Sequence, residues 1–546
     1  MPGLRVLTAL DTARTQYYHF KAIIIAGMGL FTDAYDLFCI PPILKLLGPI
    51  YYDGTEETDH ELAKPGVMPA RELSAIIAVA LLGTVVGQLV FGWLGDRMGR
   101  RRVYGLALVL MVFSSLGSGF SICRTKNLCF FRFWLGVGIG GDYPLSVVIM
   151  AEFANKKTRG SFIAAVFSMQ GFGILVSSAV TMAVCKVFDA ASRAKTTSKL
   201  VPPDEADLAW RLILMLGAIP AALTYYWRMM MPETARYTAL VEKNISQAVR
   251  DMEKVLDMPL HDITDEWDAA PEQPSYGLFS KQFAHQHGRD LFACSAAWFL
   301  VDVIFYTSNL FQSLVYRAQF YPEPDAPKTS KKYQNILNPY EAAFQVAFLQ
   351  AVIAICSTIP GYWAAVFLID RVGRVKIQMM GFLVMSFCLF MIGGPYFKHW
   401  HDNPNAVFYI LYGLTFFFSN LGPNTTTFMV PAELFPARFR TTCHGISGAA
   451  GKIGAIVGSV GFLWASQYKE KSKIEEPGYR PGIGMRASLM ILGGVGAAGA
   501  VLTYFLSPAE TKGKSLEENE TPADPHEVQL MRSSTSTTRG DAHAIL

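Results

Sequence analysis

The sequence predicts an all-α polytopic membrane protein with twelve transmembrane helices, arranged as two six-helix halves. Composition is the first reason: of 546 residues, 51% are hydrophobic and only 17% are charged, whereas soluble domains carry about 25% charged residues. The second reason is that apolar runs of about 20 residues, long enough to cross a bilayer as helices, recur along the whole chain. The third is an internal repeat that relates the two halves.

Twelve apolar runs separated by charged breaks define the predicted spans. They lie near residues 20–47, 74–94, 103–122, 128–151, 161–185, 210–231, 291–314, 343–369, 377–396, 405–430, 442–466 and 484–507. A segment over 1–19 precedes an N-terminal bundle over 20–231, and a polar linker over 232–290 leads to a C-terminal bundle over 291–507. Residues 508–546 are charged and rich in Ser and Thr, which predicts a disordered tail.

Basic residues in the short connections predict the orientation. The connections after spans 2, 4, 8 and 10 carry clusters of Lys and Arg, and such clusters stay on the cytoplasmic side. The segment after span 1 is acidic instead. One connection disagrees, because residues 467–483 carry Lys469, Lys471, Lys473 and Arg480 on the predicted outer side. Four connections outweigh one, so both termini are predicted to be cytoplasmic.

Three motifs recur between the halves at a nearly constant offset. The Asp-Arg-x-Gly-Arg motif at 96–100 returns at 370–374, an offset of 274 residues. Glu152 and Arg159 return as Glu433 and Arg440, an offset of 281, and the Glu-Thr pair at 233–234 returns at 510–511, an offset of 277. Three motifs in one register are not expected by chance. Two parallel repeats are typical of transporters that rock their halves about a central site.

Ionisable side chains in the middle of a span are candidate functional residues, because each is costly to place in a bilayer. The candidates are Asp33 and Asp36 in span 1, Arg132 and Asp142 in span 4, Asp302 in span 7 and Lys452 in span 11. The alternative interpretation is a set of buried ion pairs that only fix the register of the helices.

Span 7 carries one of these carboxylates between two aromatic side chains. Trp298, Asp302 and Tyr306 are spaced four residues apart, so they lie along one stripe of a helix. An aromatic stripe alone usually packs, but a stripe centred on a carboxylate in a membrane span is more typical of a binding site. The carboxylate accepts hydrogen bonds, and the indole and hydroxyl groups donate them.

Several motifs resemble those of one transporter family. The doubled Asp-Arg-x-Gly-Arg loop resembles the signature of the major facilitator superfamily. The segment Gly-Gly-Asp-Tyr-Pro-Leu-Ser at 140–146 closely resembles the signature of its phosphate:proton symporters, especially the plant high-affinity phosphate transporters and their fungal relatives. Segments 31–38, 169–173, 422–424 and 442–447 agree, and the resemblance covers nearly the whole chain.

The resemblance implies a major facilitator fold and import of inorganic phosphate with protons across the plasma membrane, with arsenate carried as a near-isostere. It implies a phosphate site made of Tyr143, Gln170, Trp298, Asp302, Tyr306 and Asn424. Proton coupling is then expected from the ionisable span residues named above, with Asp302 as the coupling carboxylate. Dihydrogen phosphate offers O–H donors to this carboxylate and sulfate offers none, while burial and a bound anion favour the protonated acid.

The motif residues at the cytoplasmic span ends are predicted to gate rather than to bind substrate. They are expected to bridge span ends in one conformation and to part in the other. These residues are Asp96, Arg97, Arg100, Glu152, Arg159, Asp370, Arg371, Arg374, Glu433 and Arg440.

Other chemistries and partners are not indicated. A net charge of +4 is too balanced for a nucleic-acid binder. The ten histidines and eight cysteines form no metal motif, so no metal and no cofactor are expected, and no nucleophile–base pair suggests an enzyme. The expected partners are phosphate, protons and the lipid bilayer, together with trafficking factors or kinases that act on tail serines. Those serines are Ser515, Ser533, Ser534 and Ser536.

Two other functions remain open. Segments 232–237 and 508–513 resemble motifs of proton-coupled sugar transporters, although a sugar site favours neutral amides over the span 7 carboxylate. A nutrient sensor that binds phosphate without net transport also fits the sequence, but the intact Asp36, Asp142 and Asp302 favour transport. Uptake of phosphate, sulfate and glucose at two pH values separates the alternatives.

Overall fold

The computed structural model describes residues 7, 11, 17–52, 68–121, 124–195, 203–256, 276–315, 338–400, 405–467 and 480–520. Every regular element within these ranges is helical. Twelve helices are long and apolar enough to cross a membrane, which confirms the prediction of a polytopic all-α protein. In chain order, spans 1 to 12 are Phe20–Tyr51, Ala70–Met98, Arg100–Gly119, Lys126–Phe153, Arg159–Ser192, Glu205–Met230, Lys281–Leu310, Pro339–Val372, Arg374–Gly393, Ala406–Leu434, Arg440–Ala465 and Met485–Leu506.

Four spans contain a break or an irregular turn. Span 1 consists of Tyr17–Phe38 and Ile40–Tyr51, and span 6 of Pro203–Leu216 and Ala218–Met230. Span 8 holds a π-helical turn, Ala354–Thr358, between Pro339–Ile353 and Ile359–Val372, and span 10 consists of Ala406–Leu421 and Pro423–Leu434. Prolines open the second helix in spans 1, 8 and 10, since proline lacks the N–H that would continue the helix.

Two symmetry-related contacts join the halves, span 2 with span 11 and span 5 with span 8. Within the N-terminal half, glycines let spans 2 and 4 approach closely. A Cβ atom built on Gly87 would lie 2.1 Å from the Val137 carbonyl oxygen, and one built on Gly140 would lie 2.3 Å from that of Thr84. The glycines of span 4 therefore serve helix packing, as small residues in membrane helices usually do.

Short helices lie outside the spans. They are Ala235–Leu240 and Ile245–Leu256 in the linker, Gln312–Val315 after span 7, Tyr396–Trp400 (a π-helix) after span 9, and Leu516–Glu520 after span 12. The linker thus holds two helices, and span 7 begins at Lys281, earlier than the predicted 291. The long run of polar residues at 281–290 hides this start from hydropathy alone.

The segment after span 12 corrects one prediction. Residues 508–520 are folded, not disordered: Leu516 is fully buried, and Ser515 caps the helix that follows. The Ser515 hydroxyl accepts from the Glu518 N–H at 3.0 Å, and the Glu518 carboxylate accepts from the Ser515 N–H at 3.1 Å, which is a capping box. Residues 521–546, with Ser533, Ser534 and Ser536, lie outside the described residues.

Candidate functional site

The predicted stripe on span 7 is buried at the interface between helices. Trp298, Asp302 and Tyr306 are each 1% exposed. The Asp302 carboxylate accepts a hydrogen bond of 2.7 Å from the Lys452 ammonium group, which comes from span 11. Removing one partner of a buried ion pair leaves an uncompensated charge. If another group bound Lys452 instead, the Asp302 carboxylate would lose its counter-charge.

A chain of amides and phenols runs from one half to the other beside this pair. The Tyr362 hydroxyl of span 8 donates to the Gln170 side-chain oxygen at 2.6 Å and accepts from the Asn424 amide at 2.9 Å. The Gln170 amide also approaches the Tyr143 hydroxyl at 3.5 Å, the outer limit of a hydrogen bond. Tyr362, which sequence analysis did not single out, thus links the predicted residues of the two halves.

Lys452 connects these two groups. Its ammonium nitrogen lies 4.9 Å from the centroid of the Tyr143 ring and 4.6 Å from that of Tyr306, within the range of a cation–π interaction. The six residues predicted for phosphate therefore share one region with Lys452, and each is at most 3% exposed. The region is occluded, because no member reaches the surface of the molecule.

Span 1 contributes two carboxylates that are fully buried. Among the described residues, neither oxygen of Asp33 nor either oxygen of Asp36 has a hydrogen-bond partner. Arg132, predicted to act with them, donates to the backbone oxygen of Asp36 at 2.8 Å and not to its carboxylate. No set of three metal-ligating side chains forms within the described ranges.

The span 4 carboxylate has a partner that sequence analysis missed. Asp142 accepts a hydrogen bond of 2.7 Å from Arg228 of span 6, and both side chains are at most 1% exposed. Arg228 lies two residues before the end of its span, where a basic residue usually marks the membrane surface. The Arg228 side chain points inward because spans 4 and 6 pack together, and the sequence pattern alone does not reveal this packing.

The predicted gating residues meet at one end of the bundle, the gate face, defined by Arg100, Glu152, Arg374 and Arg440. Arg100 bridges to Asp96 and to Glu152, each at 3.3 Å. Arg440 of the other half bonds Glu152 at 2.8 Å. Glu152 therefore holds arginines from both halves at one buried carboxylate.

The C-terminal half repeats part of this arrangement. Arg374 bridges to Asp370 at 2.9 Å and to Glu433 at 2.8 Å, at the repeat-related positions. Arg159 bonds Asp11 at 3.1 Å and the Lys514 backbone oxygen at 3.0 Å, so it holds residues 11 and 514 at the gate face.

Two aspartates cap helices of the opposite half. The Asp96 carboxylate accepts from the N–H groups of Thr441 and Thr442 in the first turn of span 11, at 3.1 and 2.7 Å. The Asp370 carboxylate accepts from the N–H and hydroxyl of Ser161 in span 5, at 2.7 and 2.8 Å. A carboxylate there also complements the positive end of the helix dipole. These caps close the gate face symmetrically.

Two predicted gating residues lie outside the buried cluster. The side chains of Arg97 and Arg371 are exposed, and Arg97 lies over the Trp93 ring at 5.1 Å. Each follows an aspartate directly, so its side chain points about 100° around the helix from the buried face. The structure therefore assigns them no gating contact.

The repeated Glu-Thr pairs also lie at the gate face, although sequence analysis used them only as landmarks. Glu233 accepts from the backbone N–H groups of Arg100 and Arg101, both at 3.1 Å. Glu510 accepts from those of Arg374 and Val375 at 3.1 and 3.2 Å. The position of both pairs in the repeat could have pointed to this role.

Arg236 joins the gate face to residue 11 and to the helix after span 12. It bonds Asp11 and Glu517, each at 2.8 Å. Burial alone would raise the pKa of Glu517, but the charge and hydrogen bond of Arg236 lower this pKa to about 2. Glu517 therefore stays ionised at any physiological pH, and its contribution to docking of the tail is lost only as the pH falls below the ordinary Glu range toward 2.

Comparisons with known proteins agree with this architecture. The profile of the family described as "Sugar (and other) transporter" matches residues 22–522. "Probable inorganic phosphate transporter 1-10" of Oryza sativa subsp. japonica is 59% identical over 535 residues, which cover 95% of this chain and 93% of that protein. "Inorganic phosphate transporter 1-1" of Arabidopsis thaliana is 54% identical over 526 residues, with 94% and 97% covered.

A solved structure shows the same fold. The major facilitator superfamily proton:xylose symporter XylE, bound to 6-bromo-6-deoxy-D-glucose, aligns with a TM-score of 0.67 at 20% identity, covering 92% of this chain and 98% of that one. At this identity the likeness concerns the fold alone, and it confirms the predicted major facilitator architecture. The profile match and the plant relatives concern transporters, not enzymes. This multi-pass membrane protein belongs to the sugar (and other) transporter family.

Proposed function

We propose that this chain is a proton-coupled symporter that imports inorganic phosphate by alternating access, with Asp302 as the coupling carboxylate. The observation that carries the proposal is the buried Asp302–Lys452 pair at 2.7 Å, set among hydrogen-bonding side chains from both halves. The names of the plant relatives, which are 54% and 59% identical, support phosphate as the substrate.

The side chains around Lys452 suit a partly protonated oxyanion. Lys452 offers a cation, and the amides and hydroxyls of Gln170, Asn424 and Tyr143 offer donors. Asp302 offers an acceptor, which dihydrogen phosphate can satisfy with an O–H group. Sulfate has no such group at neutral pH, so its oxygens would face an Asp302 oxygen without a hydrogen bond, even after the other carboxyl oxygen takes up a proton.

Competition for Lys452 supplies the coupling step. When phosphate binds the Lys452 ammonium group, the buried Asp302 carboxylate loses its counter-charge. An unpaired buried carboxylate is costly, so Asp302 takes up a proton. When phosphate leaves, Lys452 returns to Asp302, which releases its proton. Proton and phosphate therefore move together.

The gate face is assigned to the cytoplasmic side of the plasma membrane. The Lys and Arg clusters flank this end of the bundle, and cytoplasmic connections are rich in these residues. Residues 11 and 514–517 also contact the gate face, which supports placing both termini in the cytoplasm. Kinases or trafficking factors would then reach Ser515, although it is 9% exposed while the tail is docked.

Transport assays test this proposal directly. The chain would be expressed in cells without their own phosphate carriers. Uptake of labelled phosphate, arsenate, sulfate and glucose would then be followed at about pH 5.5 and at about pH 7.5. Phosphate and arsenate are expected to enter far better than sulfate and glucose, with faster uptake at the lower pH. Sulfate uptake equal to that of phosphate would contradict the site chemistry, and glucose uptake would favour the sugar alternative.

A further inference from the structure

Arg228 is buried between helices of the N-terminal half, and the proposed function assigns it no role. Its guanidinium donates to Asp142 at 2.7 Å, and its central carbon lies 3.9 Å from the centroid of the Tyr104 ring. The ring face favours the cation, and the arginine stays protonated under all physiological conditions. A permanent positive charge is therefore fixed between spans 3, 4 and 6.

This pair also packs against span 1 at Gly29, one helical turn before Asp33. A Cβ atom built on Gly29 would lie 1.8 Å from an Asp142 carboxylate oxygen and 2.2 Å from a terminal nitrogen of Arg228. Residues four apart share a helix face, so Asp33 faces the same pair. The charged groups that act on Asp33 are Asp142 and Arg228, with Asp36 and Lys452 as further neighbours.

The hydrogen-bonding groups of these three side chains are incompletely matched. In the described part of the chain, both oxygens of Asp33, one oxygen of Asp142, and the Nε and Nη2 atoms of Arg228 have no hydrogen-bond partner. One cation thus faces two carboxylates, while two of its nitrogen atoms remain free. Arg228 pairs with Asp142 and is also an electrostatic neighbour of Asp33, but its single charge balances only one of the two acids at a time.

We propose that Arg228 is a positioning residue for proton coupling, which keeps Asp142 ionised and thereby makes Asp33 the acid that carries a second transported proton. A second uncompensated charge in this buried region is costly, so Asp33 is neutral while Asp142 is paired. If Arg228 turns to Asp33, the O–H bond of Asp33 breaks and one forms on Asp142. The total charge is unchanged, and the proton moves from span 1 to span 4.

The inference rests on the proposed function, because it needs phosphate transport that depends on protons. The competing interpretation is that Arg228 and Asp142 form a buried pair that only fixes helix packing. A pH-dependent readout separates the two, because a packing role does not determine which acid titrates.

The test uses the full chain reconstituted in liposomes, with Arg228→Gln, Arg228→Lys and the double variant Arg228→Gln/Asp142→Asn. Two rates are measured: phosphate uptake driven by a pH gradient, and phosphate exchange at equal pH on both sides. Arg228→Gln is expected to lower driven uptake by about tenfold or more, as the loss of a linkage between two binding sites would, while exchange persists. Arg228→Lys keeps the charge and should restore driven uptake.

The double variant removes the unpaired carboxylate without restoring the cation. We expect it to exchange phosphate while driven uptake stays low. Recovery of the unaltered pH profile in the double variant, or equal loss of exchange and driven uptake in Arg228→Gln, would overturn the role of Arg228. If the unaltered protein exchanges no phosphate, the proposed function itself fails, and this inference fails with it.

Discussion

Arg440 of the C-terminal half donates a hydrogen bond of 2.8 Å to Glu152 of the N-terminal half, and both side chains are completely buried. Glu152 also bonds Arg100 at 3.3 Å and accepts from the Thr234 hydroxyl. One carboxylate therefore joins the two halves and the start of the linker. Alternating access, as proposed above, would require Glu152 to part from Arg440 and both charges to be rehydrated.

We expect Glu152→Gln to favour the open gate. Breaking a buried ion pair by removing one partner costs about 3–5 kcal/mol, because Arg100 and Arg440 lose the buried charge that they share on Glu152. Hydrogen–deuterium exchange of residues 437–445 should rise in the variant. The matched control is Lys186→Ala, which removes an exposed pair between the halves, Lys186–Glu341 at 3.4 Å, and should leave this exchange unchanged. Unaltered exchange in Glu152→Gln would contradict a gating role.

Replacing Asp302, the proposed coupling carboxylate, should separate phosphate binding from proton coupling. Asp302→Asn keeps the size of the side chain and removes its titration, so accumulation driven by a pH gradient should collapse. Exchange of phosphate at equal pH should survive, because a neutral amide resembles the protonated acid. Asp290→Asn is the control, on the same helix about 18 Å away. If Asp302→Asn still concentrates phosphate with normal pH dependence, the coupling proton resides on another carboxylate.

The parts of the fold that rest on periodicity and repeats were predictable. Apolar runs predicted the spans, and the repeat predicted that the motif residues of both halves lie at related span ends, although not which of them pair. Arg228 and Tyr362 were not predictable, because their roles depend on which helices pack together. From sequence alone, an arginine near the end of a span is expected at the membrane surface, and a tyrosine within an apolar run is expected to pack in the core. The docked segment at 508–520 was missed because its composition is polar: its one buried hydrophobic side chain is Leu516, and its other anchors are polar contacts that the sequence alone does not reveal.

Tyr362→Phe tests whether the link between the halves contributes to phosphate affinity. The variant removes the hydroxyl that bonds Gln170 and Asn424 and leaves two buried amides less satisfied. Such a loss costs about 1–3 kcal/mol, so phosphate should bind roughly five- to 150-fold more weakly. Tyr412→Phe is the control. It also removes a buried hydrogen bond, to the Ser308 backbone oxygen, but it lies in span 10 about three helical turns before Asn424. Equal affinity in Tyr362→Phe and the unaltered protein, measured by calorimetry, would exclude the link from the site.

The charge balance of the site predicts electrogenic uptake. Within the described residues around it, four carboxylates (Asp33, Asp36, Asp142 and Asp302) face three cationic side chains (Arg132, Arg228 and Lys452). One proton on Asp302 and a second on Asp33 would accompany each dihydrogen phosphate, so the transported complex carries a net positive charge. An inside-negative potential then favours entry by about 2.3 kcal/mol per charge per 100 mV. Adding phosphate at acidic external pH should produce inward positive current under voltage clamp, and this current should shrink as the pH rises at constant dihydrogen phosphate. Tracer entry without current would mean that only one proton accompanies each dihydrogen phosphate.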